Sequence, residues 1–166
     1  MFLNSQFTFI LNIVTIIVSL LSNIKYNNPL IFLIVAFGLL SSSVFNIFFM
    51  IIKVMHNSIK IEKVFFSLFS LILSYTMMYV ALKNYDMNSF YYIMENEEPK
   101  LKNVSIMDSY KNFIREFFDM SYFTIVTLST VGYGDIIPKS RTARFFVMTQ
   151  ILFGILILSI LFTKTF

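Results

Sequence analysis

Charge is absent from four long stretches of this chain, and that absence constrains its fold more than any other feature. All 13 basic and 9 acidic residues fall outside the windows 5–24, 29–52, 64–82 and 145–163. A helix rises about 1.5 Å per residue, so about 20 apolar residues cross the roughly 30 Å of hydrocarbon in a bilayer. Each window is close to that length and reads as a transmembrane helix. Composition agrees, with 57% hydrophobic and 13% charged residues, where soluble domains carry about 25% charged. Too few charges remain to cover a water-facing surface, which excludes a soluble enzyme, and the high hydrophobicity excludes disorder. With no cysteine there is no disulfide, thiol nucleophile or Cys-ligated metal. The net charge is +4, but the basic residues sit between apolar blocks rather than in a stripe, so the expected surroundings are membrane lipid and not nucleic acid.

The first window is diluted by Asn12, Thr15, Ser19 and Ser22. Its leader has neither a basic region nor a small-residue cleavage site, so it is expected to remain as an uncleaved helix rather than a signal peptide. The second opens at Pro29, a favoured first helical position, after a loop of residues 23–28. Residues 1–56 are therefore expected to form an N-terminal transmembrane hairpin, with helices at about 5–24 and 29–52. The third window is followed by a polar stretch, 83–116, with Glu95, Glu97, Glu98 and Pro99 near its middle. From 117 the chain turns apolar again with Asp119 alone as a charge, then breaks at Gly132, Gly134 and Pro138. This segment is too short to span, and it reads as a re-entrant one: a short helix entering the membrane and returning as extended backbone. Such backbone is tolerated at that depth only where protein buries it or water reaches it.

The break carries the sequence Thr130-Val131-Gly132-Tyr133-Gly134-Asp135, two of the chain's four glycines within one hexapeptide. Here the sequence resembles the potassium channel pore family, whose filters are written TVGYG. The physical logic can be read from the residues. A potassium ion entering a narrow pore loses its water shell, and backbone carbonyls can replace those oxygens. To aim successive carbonyls to one side, the chain alternates between ordinary and mirror-image dihedrals, which glycine adopts with little penalty. On this reading Thr130, Val131, Gly132, Tyr133 and Gly134 bind potassium, the metal sites being at Thr130, Val131, Gly132 and Tyr133. The side chains of Val131 and Tyr133 pack behind the ion path. A glycine-containing turn between buried helices would predict neither the Thr-Val-Tyr-Asp frame nor its apolar flanks.

The resemblance implies a pore domain over 57–166. It comprises an outer helix at about 64–82, an extracellular loop 83–116, a pore helix 117–128, the filter 130–135 and an inner helix 145–163. Asp119 favours the positive end of the pore-helix dipole. Asp135, Tyr122 and Phe123 match the residues that support the filter, though no Trp is present at either aromatic position and Val126 stands where some members carry a glutamate that pairs with the aspartate. Gly154 stands at the spacing of a gating hinge, or equally of a close helix contact at a small residue. Ile155, Leu158 and Phe162 would line the inner cavity and could gate it by dewetting.

The expected fold is thus an all-α membrane protein of four transmembrane helices, with a re-entrant pore helix and extended filter loop between the third and fourth. One filter strand cannot enclose an ion, so a tetrameric pore is expected, a homotetramer or a heterotetramer with related subunits. The expected function is passive, potassium-selective conduction, with a weakly selective cation channel or a non-conducting assembly or regulatory subunit as alternatives. No enzyme constellation and no cofactor other than the permeant potassium is indicated. The chain is expected as a multi-pass protein of the cell membrane with both termini cytoplasmic. The positive-inside rule opposes that orientation, since Lys25, Lys83, Lys100, Lys102, Lys111, Arg115, Lys139, Arg141 and Arg144 would lie outside and only Lys53, Lys60, Lys63 and Lys164 inside. The filter geometry takes precedence. The charge-free windows hold no repeated arginines, so neither strong voltage sensing nor a nucleotide- or calcium-binding gating module is expected.

Overall fold

The computed structural model describes residues 61–93 and 106–165, together with eleven isolated positions between 10 and 48. The first helix, α1 (Ile61–Tyr85), carries Glu62 in its first turn and Lys83 in its last, each matched to the dipole end it faces. Asp86 closes it by donating its N–H to the Leu82 carbonyl at 2.8 Å, and the Asp86 carboxylate accepts from the N–H of Asn88 at 3.0 Å, turning the chain back. A short strand, β1 (Phe90–Tyr92), follows. The second helix, α2 (Ile106–Leu128), puts Phe113, Met120, Phe123 and Leu128 on a buried face. Next come the glycine-containing segment and a strand, β2 (Ile136–Pro138). The third helix, α3 (Arg141–Thr165), is capped by Ser140, whose hydroxyl accepts the Ala143 N–H at 3.1 Å. Such a cap is worth about 1 kcal/mol.

β1 and β2 pair antiparallel, with Phe90 opposite Pro138, Tyr91 opposite Ile137 and Tyr92 opposite Ile136. Ser89 extends the ribbon, its carbonyl accepting the N–H groups of Lys139 at 2.8 Å and Ser140 at 3.3 Å. The end of α1 is thereby tied to the start of α3. Tyr79, Phe90 and Phe123 meet edge to face at centroid distances of 5.3 to 5.5 Å, so that one ring each from α1, β1 and α2 closes the corner between them. Such pairs contribute about 0.5–1.5 kcal/mol beyond their buried area. The core continues along α1 through the buried run Tyr75–Leu82 and along α3 through Ala143, Ile157 and Ile160.

These findings correct the expected architecture. Within the continuously described stretches 61–93 and 106–165 there are three helices, and two of them, over Val64–Tyr85 and Arg141–Ile160, are long and apolar enough to cross a membrane. Four transmembrane helices are not present among them. Of the windows 5–24 and 29–52 only two and nine positions are described, each of them helical, and the rest of the expected hairpin lies outside the described residues. The fold is not purely helical, because the two-stranded ribbon joins the helices. Nor is there a short re-entrant helix over 117–128: α2 is one helix of 23 residues that begins at Ile106, inside the stretch expected as loop. The reason is physical. Asp108, Lys111, Arg115 and Glu116 argue against hydrocarbon around that stretch, but charge says nothing against helix, and Phe113, Phe117 and Met120 recur there at helical spacing.

Candidate functional site

The hexapeptide 130–135 leaves the C-terminal end of α2. Its first residue closes that helix. Thr130 has φ 59°, its N–H bonds to the Thr127 carbonyl at 3.1 Å, and the N–H of Val131 bonds to the Val126 carbonyl at 3.2 Å. This pair of bonds is the Schellman arrangement, usually built on glycine. A β-branched residue in the left-handed region is a genuine outlier, costing of the order of 1–3 kcal/mol, and such strain clusters at functional positions. Gly132 follows at φ 57° and Gly134 at φ 75°. Positive φ therefore falls at every second residue over 130–134. The Gly132 N–H also reaches the Val126 carbonyl, at 3.4 Å. No basic residue stands in the last turn of α2, so its negative dipole end is not offset locally.

Side chains on both flanks hold the segment. The Tyr122 hydroxyl faces the Asp135 carboxylate, whose pull on the hydroxyl proton is the main cause that raises the phenol pKa above its usual 10.0. The Tyr122 ring lies parallel to that of Tyr133. Asp135 also accepts the Ile136 N–H on its carboxylate at 3.1 Å and the Ile93 N–H on its carbonyl at 3.0 Å. The ribbon thus grips the segment at its exit. Lys83 braces the same corner, donating to the Tyr92 hydroxyl at 2.9 Å and pairing with Glu116 at 3.9 Å.

Of the expected supporting residues, Tyr122 and Asp135 come together, while Phe123 turns the other way into the three-ring corner. Val131 and Tyr133 are 55% and 70% exposed in the single chain. Gly154 is buried against Leu128, the last residue of α2, so tightly that a Cβ added there would overlap the leucine side chain. Ile155 and Phe162 lie exposed on α3 and Leu158 is half-buried. Reasoning from the sequence missed a polar group behind the segment. Gln150, fully buried in α3, accepts the Tyr79 hydroxyl on its side-chain oxygen at 2.6 Å and donates its amide to the Thr124 carbonyl at 2.7 Å. The available signal was an amide side chain within the charge-free window 145–163. Among the described residues no group of His, Cys, Asp and Glu is arranged to hold a metal ion.

A family model described as ion channel matches residues 64–166. Among curated relatives, the voltage-gated potassium channel Kch of Escherichia coli is 49% identical over 45 residues, covering 27% of this chain and 11% of that protein. The hyperpolarization-activated voltage-gated potassium channel of Methanocaldococcus jannaschii is 45% identical over 42 residues, 25% of this chain and 20% of that protein. Potassium channel K2 of Plasmodium berghei is 31% identical over 99 residues, 54% of this chain and 5% of that protein. The chain thus spans a fifth or less of the length of these relatives. No solved structure matches it.

Proposed function

The chain belongs to the ion-channel family, in its potassium-channel-related branch, and on that premise we propose that it is a pore-forming subunit conducting potassium passively and selectively across a membrane. As a member of a channel family it is a transport protein and not an enzyme. The observation that carries the selective reading is the positive φ at Thr130, Gly132 and Gly134, with ordinary φ at Val131 and Tyr133 between them. Such alternation turns successive carbonyls toward one side. The carbonyls of Thr130, Val131, Gly132 and Tyr133 then take the place of potassium's hydration oxygens, with the Thr130 hydroxyl below them. The end of α2 aims its negative pole at the ion before it sheds its water.

One strip of carbonyls coordinates an ion from one side. The working assembly is therefore a homotetramer, or a heterotetramer with a related chain, four strips surrounding the axis. In that assembly Val131 and Tyr133, exposed in the single chain, are covered by neighbouring copies. α1 and α3 cross the bilayer, the ribbon and filter exit face the outside, and the far ends of both helices lie in the cytoplasm. Ile155, Leu158 and Phe162 line the inner cavity, and Gly154 serves α3 either as a hinge or as its close contact with Leu128 of α2.

The purified protein, alone in liposomes under opposed potassium and sodium gradients, tests this. Potassium-driven flux with a reversal potential near that of potassium is expected. Equal permeability would leave a weakly selective cation channel, and absence of flux a non-conducting subunit.

A further inference from the structure

We propose that Gln150 is a positioning residue for the filter: from the middle of α3 it holds Thr124 of α2, and so fixes the helix end from which the filter strand departs. The inference rests on the potassium-channel reading for its consequence in conduction. A primary amide offers two N–H donors and an oxygen with two lone pairs. Buried in an apolar helix, those groups are costly unless matched. Here Tyr79 of α1 donates to the oxygen and the Thr124 carbonyl takes an N–H. A leucine at this position would pack as well in hydrocarbon and hold neither partner.

The contact is directed at the filter by its place in α2. Thr124 is anchored from three sides: its hydroxyl donates to the Met120 carbonyl at 2.7 Å and accepts the Thr76 hydroxyl at 3.4 Å, while Gln150 holds its carbonyl. One helical turn further along both helices, Gly154 meets Leu128. The steps from 124 to 128 and from 150 to 154 are equal, so α2 and α3 share a seam with a polar end and a small-residue end. Val126, whose carbonyl receives the N–H groups of Val131 and Gly132, lies between Thr124 and Leu128. A shift of α3 is therefore carried through Thr124 to the amides that set the first residues of the filter.

The test uses the full chain in lipid nanodiscs, with amide hydrogen exchange followed by mass spectrometry on peptides covering 124–134, and potassium flux measured in parallel in liposomes. Gln150→Leu removes both bonds. Gln150→Glu keeps the acceptor for Tyr79, the titratable group in contact with it, but as a carboxylate cannot donate to Thr124; once protonated it donates again. Both variants are expected to speed exchange at Val131 and Gly132 roughly tenfold at alkaline pH. The α1 core over 75–82 is expected to keep its protection. Acidification should return the glutamate variant, but not the leucine variant, to the wild-type rate, with potassium selectivity following the same order. Wild-type exchange at Val131 and Gly132 in both variants overturns the proposal. So does equal loss of protection in α1, α2 and α3, which marks a merely structural amide. Wild-type liposomes without potassium flux defeat the channel reading, and the exchange arm still decides the role of Gln150.

Discussion

The rings of Tyr122 and Tyr133 lie parallel, 5° apart in plane and 6.4 Å between centroids, and the Tyr122 hydroxyl faces the Asp135 carboxylate. One residue of α2 thus meets the segment 130–135 twice, by its ring and by its oxygen. Tyr122→Phe separates the two, keeping the ring and deleting the oxygen. The expected outcome is a chain of wild-type thermal stability whose potassium current runs down several-fold faster, measured by flux decay in liposomes.

The same hydroxyl sets a pH expectation. The pull of the Asp135 carboxylate raises the Tyr122 pKa, so the phenol holds its proton more tightly in the folded chain. Its contribution is complete below the ordinary tyrosine pKa of about 10 and is lost only as pH rises through the raised value. The difference in run-down between wild type and Tyr122→Phe is therefore expected to be flat from about pH 6 to 9, and to shrink only above about pH 10. A difference that changes around neutral pH would assign the effect to another group.

Gly132→Ala and Gly38→Ala should act with opposite signs. Neither glycine has an atom within 4 Å of where a Cβ would stand, so space constrains neither. Gly132 has φ 57°, where an L-residue pays about 1–2 kcal/mol. Gly38 is an exposed helical residue, where alanine gains up to about 1 kcal/mol. Gly132→Ala is expected to abolish potassium flux in liposomes, while Gly38→Ala retains flux and leaves thermal stability equal or higher.

How much of this was legible beforehand differs from residue to residue. Gly132 and Gly134 announce a special backbone because only glycine makes positive φ inexpensive. Thr130 shares that conformation and gives no sign of it, because its φ is imposed by closure of α2 rather than by its own preference. The windows 64–82 and 145–163 locate helices α1 and α3, since freedom from charge reports on tolerance for hydrocarbon. By the same token that criterion hid residues 106–116 of α2, where charges stand on a helix. The strand residues Phe90 and Tyr91 and their partners Ile137 and Pro138 are far apart in the chain. No local pattern states which distant segment a strand will choose.

The ribbon's hold on the end of the segment 130–135 can be tested through one main-chain bond. Ile93 is 57% exposed, yet its N–H donates to the Asp135 carbonyl. Ile93→Ala trims the side chain and keeps the bond, whereas Ile93→Pro deletes the donor. Ile93→Ala is expected to behave as wild type. Ile93→Pro should lose about 1 kcal/mol of stability at the ribbon and broaden cation selectivity, read as a shift of the reversal potential toward that of sodium. Equal behaviour of the two variants would show that the bond does not steady the mouth.

The contact between Gly154 and Leu128 separates two roles for this glycine. If close packing explains it, a methyl group at 154 overpacks the seam, because the leucine side chain occupies that space; overpacking of this kind costs typically about 1–3 kcal/mol. Leu128→Ala alone leaves a cavity and costs about 2–5 kcal/mol. Combined, the added methyl occupies part of the space that the leucine vacates, so Gly154→Ala/Leu128→Ala should be more stable than the sum of the single changes by about 1–2 kcal/mol, the coupling expected of residues in contact. A hinge works differently: it needs the backbone freedom of glycine whatever stands opposite, and the double variant would then recover stability but not channel opening. Thermal unfolding of the four proteins of the cycle gives the coupling, and liposome flux from the same samples shows whether opening returns with it. Coupling together with restored flux is the expected result, and stability that returns without flux would make Gly154 a hinge.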